Sequence, residues 1–311
     1  TRDCFGSLMR VSRSVHVAAP AYIEHVHFPK GTDDDTITRV LEGSPQLRDV
    51  DLRCNDWYAT IERAARLERL ERLVVSSGEE DVHNGLQMLP HSLGDCLRLK
   101  SLRVSVASLQ AMPEFSTSQL SSLATLDLDG CSNLAALPES IGQLPSLTTL
   151  CLTGCVNLEE LPESLSQLSK LATLDLSHCN NLEALPESIG QLPSLATLCL
   201  SGCVNLEELP ESISQLSSLV ALNLTHCNYL EALPESIGQL SKSLKRLDLT
   251  ECERLAALPE STGLLSSLAE LNLAGCVCLE TLPESTGQLS SLATLNLTAC
   301  ESLAALPEST G

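Results

Sequence analysis

Three groupings of side chains in this sequence have the residue types for chemistry. His16, His25 and His27, followed by Asp49 and Asp51, offer the imidazole and carboxylate donors that zinc prefers. Asp175, Ser177 and His178 bring together the acid, hydroxyl and imidazole of nucleophilic hydrolysis. Two files then recur at a fixed interval. Cys131, Cys155, Cys179, Cys203, Cys227, Cys252, Cys276 and Cys300 could hold a soft metal, and Glu139, Glu163, Glu187, Glu211, Glu235, Glu260, Glu284 and Glu308 could hold calcium.

Each pattern fails a geometric requirement of its chemistry. If residues 4 to 18 are helical, His16 has no fixed place beside His25 and His27, and no partner that would orient the imidazoles can be named, so solvent-facing histidines are expected. No G-x-S-x-G or comparable nucleophile turn surrounds Ser177. One sulfur per repeat cannot converge tetrahedrally, so the cysteine file is expected to be packing, a small thiol filling a buried corner. Carboxylates stacked about 5 Å apart repel unless hydrated, and no oxygen cage accompanies them. A solvated acidic stripe is expected. The chain is therefore expected to be no enzyme and to carry no cofactor and no metal.

The elements that position these groups follow from the interval itself. Starts at Leu123, Leu147, Leu171, Leu195, Leu219, Leu244, Leu268 and Leu292 define a 24-residue period with one extra residue near Lys242. The consensus LATLDLxxCxNLEALPESIGQLSS alternates around its third to seventh positions, as in Thr125 to Asp129, which predicts a short strand with leucines inward. The return segment, such as Leu137 to Leu144, has proline early and glycine inside, which suits one helical or 3₁₀ turn, with Ile141 and Leu144 closing the core. Stacked copies give a curved α/β solenoid with a parallel concave sheet, about eleven repeats in all.

Weaker copies precede the regular array. Leu99, Leu102 and Val104 begin one, Leu70, Leu73 and Val75 a longer one, Leu47, Val50 and Leu52 another, and Ile23, Val26 and Phe28 supply a still earlier strand. The surplus in the unit from Leu70 is an exposed loop over residues 76–85. Three regions result: an N-terminal cap over 1–22, irregular repeats over 23–122, and regular repeats over 123–311. The chain starts without methionine and stops inside a repeat, which reads as a fragment of a longer protein.

Composition narrows the partner. Hydrophobic residues make up 43% of the chain but aromatics only 2%, so the core must be aliphatic. The formal net charge is -21, and residues 123–311 hold 23 acids against 5 bases. Such a surface repels phosphate backbones and anionic membranes and steers in a protein partner with a basic surface. No run of eighteen apolar residues or signal peptide occurs. Eight of the fourteen cysteines sit at one repeat position, a packing pattern that favours a reducing compartment, the cytoplasm. Asn223-Leu-Thr225 and Asn296-Leu-Thr298 fit the glycosylation sequon, but both fall in predicted strands and arise from the repeat consensus.

The motif LxxLxLxxCxxLxxLPESIGxL resembles the leucine-rich repeats of plant intracellular resistance receptors of the nucleotide-binding class, and equally those of plant and algal Roco-type GTPases. That resemblance implies the partner-binding region of a larger signalling or plant-defence protein, although no G-x-x-x-x-G-K-[ST] motif is present. A second resemblance lies over residues 4–28, where Leu8 to Arg13, Ala18-Ala19-Pro20 and Tyr22 to Phe28 look like the end of an F-box, with helical spacing at Leu8, Val11, Val15 and Ala18. It implies a substrate receptor of a cullin-type ubiquitin ligase. A free-standing interaction scaffold is the third reading.

Partner contacts are expected where the array departs from its consensus. Lys245, Arg246, Asp248 and Glu251 crowd the strand after the inserted residue. Asp127 and Asp175 belong to a concave file that continues through Cys151, Cys199, Asn223, Asp248, Asn272 and Asn296. Trp57 and Tyr58 are further candidates, since six of the seven aromatics precede residue 123 and interface hot spots favour Trp, Tyr and Arg.

Overall fold

Alternation within each repeat forces a strand, and the leucines on its inner face have no partner except the next repeat. A computed structural model, which describes residues 9–10, 23–53, 57–77, 85–115 and 119–308, shows the result: thirteen strands in one parallel sheet, in strict chain order. They are β1 (Met9–Arg10), β2 (His25–Phe28), β3 (Asp49–Leu52), β4 (Arg72–Ser76), β5 (Ser101–Ser105), β6 (Thr125–Asp127), β7 (Thr149–Cys151), β8 (Thr173–Asp175), β9 (Thr197–Cys199), β10 (Ala221–Asn223), β11 (Arg246–Asp248), β12 (Glu270–Asn272) and β13 (Thr294–Asn296).

Register repeats without slippage. Leu126, Leu150, Leu174, Leu198, Leu222, Leu247, Leu271 and Leu295 are paired in sequence across β6 to β13. The extra residue near Lys242 leaves this pairing intact because it is absorbed on the return path, where the 3₁₀ segment lengthens to Glu235–Lys242. A one-residue slip in the strand would have turned every inner leucine outward.

The return segments are 3₁₀ turns in the regular array, such as Glu139–Gln143 and Glu187–Gln191, and Ile141 and Leu144 are buried as expected. The returns after β2 and β3, no longer than the regular ones but without their Pro-Glu-Ser start, form α1 (Asp34–Gly43) and α2 (Trp57–Ala65) instead. Asp33 caps α1, accepting from both the backbone N–H and the hydroxyl of Thr36 at 2.8 Å.

Two expectations change at the N-terminal end. Met9 and Arg10 were read as part of a helix; they form β1, paired with Val26 and His27. Without it, the edge of β2 would present unpaired backbone groups. The rest of residues 1–22, most of the F-box-like segment included, lies outside the described residues, as do residues 78–84 of the expected loop.

The cysteine file is a packing element, and it is also bonded. Cys131 donates from Sγ to Val104 O at 3.2 Å, and Cys155, Cys179, Cys203, Cys227, Cys252, Cys276 and Cys300 each donate to the corresponding leucine carbonyl of the repeat before. All but Cys300 are fully buried, and the described cysteines are free. Cys278 is exposed. Brief iodoacetamide treatment of the native protein should therefore label Cys278 and spare Cys131 to Cys276. Peptide mapping that finds ladder thiols modified as fast as Cys278 would contradict the bonded, buried arrangement.

The glutamate file also does more than face water. Glu139, Glu187 and Glu211 accept the backbone N–H of Ser164, Ser212 and Ser236 in the next repeat, at 3.2 to 3.3 Å. Each acid thus satisfies an otherwise unpaired donor at the start of the following 3₁₀ turn.

Candidate partner-binding face

The outer side chains of the strands form two rows across the open face of the sheet. One runs through Thr197, Ala221, Arg246, Glu270 and Thr294 over β9 to β13, and the other through Cys199, Asn223, Asp248, Asn272 and Asn296. Toward the other end, the first row contains His25, Asp49 and Arg72, and the second His27 and Asp51.

Every acid or amide of the second row in the regular array is tied into its own turn. Asp127 Oδ1 accepts from Asp129 N, Asp175 Oδ1 from Ser177 N and Oγ, Asn223 Oδ1 from Thr225 N and Oγ1, Asp248 Oδ1 from Thr250 N and Oγ1, Asn272 Oδ1 from Ala274 N, and Asn296 Oδ1 from Thr298 N and Oγ1, all within 3.2 Å. These bonds stabilise a reversal in which the next residue adopts a left-handed conformation. That position is glycine at Gly130, Gly154, Gly202 and Gly275, but His178, His226, Glu251 and Ala299 also hold φ near 60°. Asp127, Asp175 and Asp248 therefore have a structural occupation besides any contact with a partner. The Asn-x-Thr spacing at Asn223 and Asn296 was visible in the sequence as a sequon, and its meaning here is an Asx turn.

The four residues around the insertion separate in space. Arg246 and Asp248 lie on the strand face, Lys245 is exposed just before it, and Glu251 sits beyond it in the left-handed turn. Glu251 Oε2 pairs with His226 Nδ1 at 3.0 Å, so it belongs to the rim of the sheet and not to the strand face where the sequence spacing put it. Arg246 Nε stands 3.7 Å from Glu270 Oε2, both side chains more than half exposed. The rim also holds a residue that sequence reasoning missed. Tyr229 is exposed, Arg254 lies over its ring at 4.1 Å from the centroid, and Arg254 pairs with Glu231 at 3.8 Å. Two signals could have found it: Tyr229 is the sole aromatic after residue 122, and four of the five bases of residues 123–311 fall between 242 and 254.

A shallow depression of about 420 Å³ covers β9 to β13, with Arg246 at its middle. Trp57 and Tyr58 are not part of it. They belong to α2, on the return side between β3 and β4, where Tyr58 is exposed. Asp127 and Asp175 lie on β6 and β8, beyond the edge of the depression, and Asp127 is 3.4 Å from Arg103 Nε.

The histidines of β2 are bonded to the next strand. His25 Nδ1 and His27 Nδ1 meet Asp49 Oδ2 and Asp51 Oδ2 at 2.6 Å, which the residue-for-residue register makes unavoidable. They are thus partnered, not merely solvent-facing. His16 lies outside the described residues. Among the described residues, no three His, Cys, Asp or Glu side chains are arranged to hold a metal ion.

A parallel sheet one strand per repeat, 3₁₀ returns and an aliphatic ladder define a repeat solenoid with one open side-chain face. Residues 143–239 match the leucine-rich repeats described as disease resistance protein RPS4B-like, and residues 41–155 match the R13L1/DRL21 LRRs. Among solved structures, the leucine-rich repeat domain of the type III effector XopL is 30% identical, with 68% of this chain and 73% of that chain covered and a TM-score of 0.60. An LRR protein of Leptospira interrogans is 25% identical over 94% of this chain and 88% of that one, with a TM-score of 0.59. The Arabidopsis receptor kinase HAESA, solved with the peptide hormone IDA and the co-receptor SERK1, shares the fold at 23% identity, 78% and 45% coverage and a TM-score of 0.52. No curated protein sequence gives a significant match. The chain belongs to the leucine-rich repeat proteins.

Proposed function

We propose that the chain is a protein-recognition scaffold that binds its partner through the open face of β9 to β13 and the adjoining rim at His226, Tyr229, Glu251 and Arg254. The observation that carries this reading is coincidence at one place. Just after the repeat of unusual length, Arg246 lines the depression, and the array's sole aromatic, Tyr229, lies under Arg254 on the adjoining rim, in an array otherwise close to its consensus. Exposed Tyr and Arg side chains are the residue types that dominate interface energetics.

The matches to resistance-protein repeats support placing this scaffold in a larger intracellular signalling or immune-receptor-like protein of plant type. No helix among the described residues is long and apolar enough to cross a membrane. The ubiquitin-ligase alternative depends on a segment whose two described residues form β1.

A photo-crosslinking amino acid at Thr197 or Thr294 on the open face, compared with Ser217 on the return side, tests the reading in extract of the source tissue. Adducts should form from the face positions and fall at least tenfold in Arg246→Glu, with the melting temperature within about 1 °C, as expected for an exposed side chain away from any core. Equal adducts from Ser217, or adducts indifferent to Arg246→Glu, would refute it.

A further inference from the structure

We infer that His25 and His27 together bind one divalent transition-metal ion of the zinc class, through their Nε2 atoms, on the open face of β2. The site lies toward the other end of the sheet from β9 to β13 and stands independently of the recognition reading.

Orientation of the rings gives the first reason. The sequence alone names no group to hold these imidazoles, and the strand register supplies one for each. His25 is paired with Asp49 and His27 with Asp51, and in both pairs Nδ1 stands 2.6 Å from a carboxylate Oδ2. An ionised carboxylate only accepts, so in the neutral ring the proton sits on Nδ1 and the lone pair on Nε2. That is the tautomer a metal ion requires. A carboxylate behind the ring is also the usual partner of a metal-bound imidazole, because it fixes the ring and makes Nε2 more basic.

Spacing gives the second reason. Side chains two apart on a strand leave the same face, about 6.8 Å apart at about 3.4 Å per residue, so two imidazoles can lean onto one ion. His25 and His27 line one depression of about 290 Å³ with Asp49, Asp51, Arg53 and Arg72. Their side chains are 38% and 21% exposed, so an ion reaches them from solvent.

Charge and donor type narrow the ion. Asp51 Oδ1 is buried without a hydrogen-bond partner, and a cation held on His27 would offset that uncompensated oxygen. Arg53 and Arg72 balance the two carboxylates, so the depression has no strong field of its own to gather cations. Calcium and magnesium, which need about six oxygen ligands, are therefore poorly served, whereas imidazole donors suit zinc, nickel or copper(II). Among the described residues, no third His, Cys, Asp or Glu is arranged to join the pair, so water or a donor from a bound partner completes the shell.

The test is a zinc titration of the whole chain carrying Cys278→Ser, which removes the exposed thiol as a competing ligand. Long-range proton–nitrogen correlation spectra read both nitrogens of each ring. Zinc should move the Nε2 signals of His25 and His27 together and saturate at one ion per chain, while magnesium leaves them in place. His27→Gln should weaken this binding at least tenfold, and Asp51→Asn, which leaves both rings present, about tenfold. Nε2 signals of His25 and His27 that do not respond to zinc overturn the inference, and the parent protein alone gives that result should a variant fail to fold. Shifts confined to His91, His178 or His226 would mark adventitious surface binding and overturn it equally, as would undiminished affinity in a folded His27→Gln. None of these readings involves β9 to β13, so each leaves the recognition face to its own crosslinking test.

Discussion

Between pH 9 and pH 10.5 the regular array is expected to unfold, and replacing ladder cysteines by serine should move that transition upward. The cause is burial of a file of thiols. Desolvation pushes Cys131 up to about 11 and Cys203 and Cys276 up to about 12, from an ordinary value of 9.0. It raises Cys155, Cys179, Cys227 and Cys252 as well. A thiol with a raised folded pKa contributes its full stability below 9.0, because both states are then protonated. Above 9.0 the unfolded chain releases protons that the folded chain retains, so stability falls as pH rises toward the folded value.

Each pH unit above 9.0 costs about 1.4 kcal/mol per thiol, so at pH 10 the seven fully buried members together cost on the order of 10 kcal/mol. That is comparable with the entire stability of an ordinary domain, about 5–15 kcal/mol. Serine at Cys179, Cys203 and Cys227 keeps a donor for the carbonyls of Leu152, Leu176 and Leu200 but does not ionise in this range. The triple variant should recover about 4 kcal/mol of the loss at pH 10. Urea titrations at pH 7 and pH 10, followed by circular dichroism, measure both differences. Identical losses in parent and variant would show that the ladder does not govern the alkaline transition.

Gly190→Ala should destabilise the protein by about 1–3 kcal/mol through overpacking, whereas Ser214→Ala, at the same position of the next repeat, should change it by less than about 0.5 kcal/mol. A Cβ on Gly190 would lie 2.2 Å from Ser212 O and 2.8 Å from Ser212 Cβ, and Gly142 and Gly238 meet Ser164 O and Ser261 O at 2.1 and 2.4 Å. These contacts are with backbone of the following 3₁₀ turn, which cannot rotate away. Ser214 already carries a Cβ and donates from Oγ to Glu211 O at 2.8 Å, so alanine there adds no atom at the junction. Gly142, Gly190, Gly238 and Gly263 thus mark junctions of close approach between successive 3₁₀ turns. Midpoints in urea at constant slope decide the matter, and equal shifts for the two variants would mean that the junctions are equivalent.

Most of the fold was legible because its determinants are local and repeated. The leucine alternation around Leu126, the proline before Glu139 and the single extra residue at Lys242 each have one stereochemically acceptable outcome when copies stack. The N-terminal segment was misread at Met9 and Arg10 because apolar spacing over residues 8–18 fits a helix, while the pairing that makes β1 comes from the free edge of β2.

The candidate site was legible only in part. Arg246 could be picked out as an exception to the consensus, and it does lie at the centre of the depression. Glu251 was assigned to the strand face by its distance along the chain, but the left-handed turn carries it to the rim and onto His226. Tyr229 and Arg254 are 25 residues apart, and only stacking of successive repeats lays one over the other.

The sequence by itself determined the solenoid, the inward leucines and cysteines, and the acidic character of the regular array, because period, apolarity and charge are properties of each repeat taken alone. Tertiary structure decided which face atoms remain available. Whether an Asn or Asp side chain is engaged in its own turn or open to a partner depends on the φ of a residue three positions on, and whether His25 is free depends on Asp49 in the next strand. Those are relations between backbone conformation and neighbouring repeats, and they exist only once the repeats are stacked.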